Sequence, residues 1–178
     1  IVDPGIQLRY FKNQPFSLKA NAVAGYKFKH WEIGGNTSGA TTLIANNSNW
    51  KYFDGNDMPA SNWSSVAYND GSWKNGNAPL GYNSSNSGIT TTISYGANAS
   101  NKYTTAYFRK TINLTNLSSK NSFTVSTLAD DGIVLYVNGT EVGRDNMPNG
   151  TIGFATVSTT YNNGATASFN VPKELLVE

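Results

Sequence analysis

The chain has 178 residues, of which 13% are charged and 12% aromatic, with a net charge of +2 and no cysteine. Its lysines and arginines are scattered singly, so no basic stripe exists to neutralise a run of phosphates, and nucleic acid is not expected as a partner. The missing thiols exclude disulfides and thiolate chemistry, and no stretch nears the roughly 20 apolar residues that cross a bilayer, so no membrane partner is expected.

Asn, Ser, Thr and Gly crowd the gaps between short apolar runs, a mixture that favours strands and turns over helices and predicts an all-β chain. Residues 1–35 read as a short β-hairpin segment. Ile6–Phe11 and Phe16–Ala20 flank a turn at Asn13-Gln14-Pro15, and Tyr26–Glu32 follows with clean alternation. The small, polar run Gly34–Gly39 marks the expected boundary, residues 36–49 a linker and first strand, and residues 50–178 the main domain.

Within that domain Trp50–Phe53 alternates as a strand. Residues 54–102 are thinly apolar, with Trp63, Trp73, Leu80, Tyr82 and Ile93 as isolated anchors in long loops; mobile stretches are expected at Asn83–Gly88 and Gly96–Asn101. Strands are then expected over Tyr103–Leu114, Ser122–Leu128, Ile133–Val137, Thr140–Arg144, Thr151–Val157 and Ala165–Val171. Asn138-Gly139 predicts a type I′ turn, since both central residues need positive φ, which Asn tolerates and Gly accepts freely. Inward parity puts Phe108, Ile112, Phe123, Val125, Ile133, Leu135 and Val137 between two antiparallel sheets.

Two motifs, Ala106-Tyr107-Phe108-Arg109-Lys110-Thr111-Ile112 and Asp130-Asp131-Gly132 running through Asn138-Gly139 to Arg144, resemble the galactose-binding-like jelly roll. Trp63, Asp70-Gly71-Ser72-Trp73, Ala78-Pro79-Leu80-Gly81-Tyr82 and Arg144-Asp145-Asn146-Met147-Pro148 extend the likeness to a module of large bacterial surface proteins of the Bacteroidetes type. Such modules accompany CotH-like, lamin-tail or glycosidase domains. Residues 1–35, with Gly25-Tyr26-Lys27-Phe28 and Trp31, resemble the end of a bacterial surface repeat. The resemblance implies an antiparallel jelly-roll β-sandwich in a secreted or cell-surface multidomain protein. The family pattern continues past Glu178, so it also implies that C-terminal strands are missing here and a sheet edge is open.

Catalysis finds little support. His30 is the single histidine, lies outside the expected main domain, and would have to serve any Ser-His-acid triad; no carboxylate pair is placed across a cleft by the sequence. The chain is therefore expected to be non-catalytic and carbohydrate-binding, with a structural spacer or protein-interaction domain as the alternative and a hydrolase third. A sugar needs a flat aromatic face beside convergent hydrogen-bond partners. Trp63, Tyr82, Asn83 and Arg144 are the candidates for ligand contact, whereas Trp73 reads as core and Arg109 and Arg144 also read as partners of carbonyls or carboxylates. Asp54, Asn56 and Asp57 form the best local oxygen cluster for calcium, and Asp130-Asp131 reads first as a turn that bonds its own backbone. No other cofactor is implied.

Overall fold

A computed structural model describes residues 40–82, 88–162 and 164–178, and within it Thr41–Glu178 forms one compact unit. The hairpins expected in residues 1–35, together with His30 and Asn83, lie outside the described residues. The unit is all-β with several antiparallel pairings. Its strands are β1 (Asn49–Phe53), β2 (Lys74–Asn77), β3 (Leu80–Gly81), β4 (Thr91–Thr92), β5 (Tyr107–Arg109), β6 (Phe123–Ala129), β7 (Ile133–Val137), β8 (Thr140–Asp145) and β9 (Ala165–Val171). Single 3-10 turns occur at Leu117–Ser119 and Lys173–Leu175.

β1 is the centre of a three-stranded antiparallel sheet, with β2 on one side and β5 on the other. β5 is only three residues long because β1 offers it three partners, Lys51, Tyr52 and Phe53; the longer strand expected over Tyr103–Leu114 finds no further ladder. β3 and β4 make a short parallel pair, Leu80 with Thr91 and Gly81 with Thr92.

Aromatic rings tie this sheet to its loops. The ring centroids of Trp73 and Phe53 are 5.8 Å apart, Phe53 and Tyr107 6.4 Å, Tyr107 and Trp63 5.0 Å, and Trp63 and Tyr136 5.4 Å. This chain of tilted and edge-to-face contacts decides which side of β5 is covered. Tyr107 is buried, and its neighbour Phe108, expected in the core, is 37% exposed. Successive strand residues point to opposite faces; Trp63 packs on the Tyr107 face, and the other face is covered at Tyr52, the cross-strand partner of Phe108, but not at Phe108 itself.

β6 and β9 pair over seven residues, from Phe123 with Val171 to Ala129 with Ala165. Ala167, Phe169 and Val171 are buried and Phe123 and Val125 half-buried on one face; Thr124, Ser126, Ser168 and Asn170 line the other, where Ser126 Oγ and Ser168 Oγ are 3.3 Å apart. β7 and β8 form the expected hairpin around Asn138 and Gly139, whose φ values of 49° and 87° are those of the predicted turn. A bulge follows, since Leu135 opposes Gly143 while Tyr136 opposes Glu141. Every residue of β7 is half-buried. The reason is that both faces of the hairpin are partly covered: Trp63 meets Tyr136, and a Cβ on Gly143 would lie only 2.9 Å from the Phe169 ring of β9.

Thr151–Val157 is not a strand. Thr156 accepts the Gly153 N–H at 2.9 Å and donates its own N–H to the Gly153 carbonyl, so a local turn satisfies groups that a ladder would otherwise use.

Candidate functional site

The long segment between β1 and β5 is fixed by one arginine. Arg109 Nε donates to Asp70 Oδ2 at 2.9 Å, and its Nη1 donates to the carbonyls of Trp63 and Ser65, the latter at 3.1 Å. The guanidinium also lies 5.2 Å from the Tyr68 ring centre. These charge-assisted bonds seat the 63–70 loop on β5, as expected of a structural arginine. Trp63 is consequently half-buried between Tyr107 and Tyr136 rather than standing free, and Trp73, donating its indole N–H to Tyr68 Oη, is buried as expected.

Arg144 is equally committed. It grips Glu141 with two bonds, Nε to Oε1 at 2.7 Å and Nη2 to Oε2 at 2.8 Å, and donates to the carbonyls of Pro148 and Gly150. The hydrogen bond from Arg144 holds the Glu141 carboxyl below its ordinary range, against a smaller opposing effect of burial.

An exposed aromatic surface lies at Tyr82. Its ring is 36% exposed and meets Tyr95 edge-to-face at 5.3 Å, while Lys102 Nζ sits 5.0 Å above Tyr82 and 5.7 Å above Tyr95. Burial, then the nearby charges of Asp130 and Asp131, push the Tyr82 hydroxyl above its ordinary value. Asp131 Oδ1 accepts the Asn162 N–H at 2.8 Å, a bond to a distant segment and not the local turn bond expected of it. Asn146, with φ 53°, donates to the carbonyls of Asp131 and Thr160 and accepts from Thr159 and Thr160, latching the 159–162 segment beside the acid pair. Between those latched residues Tyr161 projects its ring, 81% exposed. Tyr82 thus lies within electrostatic reach of two carboxylates, one of which, Asp131, holds the segment that carries Tyr161.

The Asp54 cluster, expected as the best local oxygen set for calcium, is held by hydrogen bonds of its own. Asp54 is buried; its Oδ1 accepts from Lys74 Nζ at 2.7 Å and its Oδ2 from the Ser94 amide at 2.6 Å. Asn56 and Asp57 are exposed, and Asp57 Oδ1 accepts the Met58 N–H. Each Asp54 oxygen thus holds one partner, an ammonium or an amide, and keeps a further lone pair. Burial alone would raise the Asp54 carboxyl, but the Lys74 and Ser94 bonds outweigh it and hold the group below its ordinary value. Beside this pair opens a cleft of about 390 Å³, walled by Phe53, Trp73 and Tyr103 and edged by Asn56, Ser72 and Ser94.

The segment 94–103 separates the two regions. Tyr103 N donates to the Tyr95 carbonyl at 2.9 Å, bringing its two ends side by side. Ser94 and Tyr103 line the cleft, whereas Tyr95 and Lys102 meet Tyr82. Adjacent residues of an extended segment point opposite ways, which is how one strap serves two surfaces. Sequence reasoning missed Tyr95, Lys102, Lys74 and Tyr161. The pairs Ser94-Tyr95 and Lys102-Tyr103 carried the signal for the strap; nothing local marks Tyr161. Among the described residues no group of three or more His, Asp or Glu side chains converges, and no helix is long and apolar enough to cross a membrane. No family model, curated protein or solved structure matches the chain.

Proposed function

We propose that this chain is a non-catalytic accessory module of a secreted or surface-attached multidomain bacterial protein, that residues 50–178 belong to the galactose-binding-like jelly-roll sandwiches, and that the module binds glycan. The observation that carries the reading is the half-open Tyr82, set edge-to-face against Tyr95 and within electrostatic reach of Asp130 and Asp131. A pyranose offers an apolar C–H face and a rim of hydroxyls, and it is matched by an aromatic plane next to carboxylate acceptors. Tyr82 therefore takes the stacking role, with Asp130 and the turn around Asp131 receiving hydroxyl donors. Trp63 and Arg144 are both held by partners of their own.

Affinity electrophoresis of the full chain in gels containing soluble polysaccharides tests this. At least one polysaccharide should retard the protein, and Tyr82→Ala should remove the retardation with little change in the thermal midpoint. A specific observation favours the alternative of a structural spacer: both Trp63 and Trp73 are used in packing. If neither the gels nor a glycan array detects binding by the wild type, the spacer reading replaces the glycan one.

A further inference from the structure

We propose that the cleft beside Asp54 and Lys74 is a second binding site, separate from the Tyr82 surface, and that it takes a single neutral sugar residue through a vicinal pair of hydroxyls. The choice of a sugar rests on the glycan reading above; the cleft and its polarity do not. Its volume of about 390 Å³ falls within the range of small-ligand sites and suits one ring rather than a chain.

The chemistry of the floor selects the ligand. The Asp54 carboxylate is buried and fixed from two directions, by Lys74 Nζ and by the Ser94 amide, so it is a preorganised acceptor. The Lys74 side chain is 60% exposed and keeps ammonium hydrogens beyond the one given to Asp54. An acceptor and a donor 2.7 Å apart match two adjacent hydroxyls, each of which both donates and accepts. Asn56 and Ser72 add an amide and a hydroxyl at the rim, and Phe53, Trp73 and Tyr103 among the lining residues supply apolar surface for ring C–H groups. Charge decides against an anionic ligand. The lysine is already neutralised by its partner, and a uronate entering the cleft would meet the Asp54 carboxylate.

The test is a titration of the full, isotope-labelled chain with D-glucose, D-galactose, D-mannose and N-acetyl-D-glucosamine, and with D-glucuronate as the charged comparison, followed at the Ser94 amide and Trp73 indole resonances. At least one neutral sugar should move both signals saturably. Asn56→Trp and Ser72→Tyr, two exposed rim positions that fill the cleft from its edge, should each weaken that binding about tenfold or more. Tyr82→Ala should leave it in place. The proposal is overturned if no neutral sugar moves these signals, if glucuronate alone does, or if both folded rim variants bind as the wild type does. Loss of polysaccharide retention with the cleft titration intact would remove the Tyr82 site and leave this one; retention without a cleft response would do the opposite.

Discussion

Gly139 occupies the second central position of the β7–β8 turn at φ 87°, where a β-branched side chain is strained. Gly139→Val should therefore cost about 1–2 kcal/mol in equilibrium denaturation, and an unchanged midpoint would contradict the turn geometry. Trp73 is buried against Phe53 and Tyr68, so Trp73→Ala should cost about 3–5 kcal/mol, as truncation of large buried aromatics does. Asp54→Ala leaves the Ser94 N–H without its partner and should cost about 1–3 kcal/mol by urea unfolding. The sequence announced the turn and the buried Trp73 because each depends on neighbours a few residues away. It announced Tyr82 as an aromatic in a polar loop, but not Lys102 or Tyr95 around it, since their meeting depends on how a distant strap crosses.

Among the elements, β6, β7, β8 and β9 were legible almost to the residue, because alternation and the Asn-Gly turn act within each strand or hairpin. Phe108 was misread for a physical reason: a three-residue strand has two faces, and alternation separates them without saying which is covered. The loop held by Arg109 covers Tyr107, while on the other face Tyr52 is covered and Phe108 beside it is left open. Thr151–Val157 was misread because a Thr side chain that closes its own turn leaves the same apolar pattern as a strand. The close approach of β8 to β9 adds a test at this scale. Gly143→Val would drive its side chain into the Phe169 ring and should lower stability by about 1–3 kcal/mol, measured by thermal or urea unfolding.

For the whole molecule, acid stability follows from two carboxylates held below their ordinary values. Asp54 is ordinarily half-protonated at 3.8 and Glu141 at 4.5. Each contributes stability above those values and loses it as pH falls through the lower value in the fold. The urea midpoint should therefore decline on acidification below about pH 4.5, and Asp54→Asn should flatten part of that decline. Lys74 acts with the opposite sign: raised above 10.5 chiefly by its bond to Asp54, it loses its contribution only as pH climbs past that value. The pairing of β6 with β9 bears on a different property, resistance to force. Phe123 opens β6 and Val171 closes β9, and the two are opposite each other, so tension entering from the chain on either side peels the ladder pair by pair instead of shearing all seven at once. That end is fastened: Lys173 Nζ donates to the Lys120 carbonyl at 2.7 Å, Glu178 accepts the Leu117 N–H, and Asn138 Nδ2 holds the Leu175 carbonyl at 2.8 Å. Under tension this clasp resists the first step of peeling, and single-molecule pulling should show Lys173→Met yielding at lower force than the wild type.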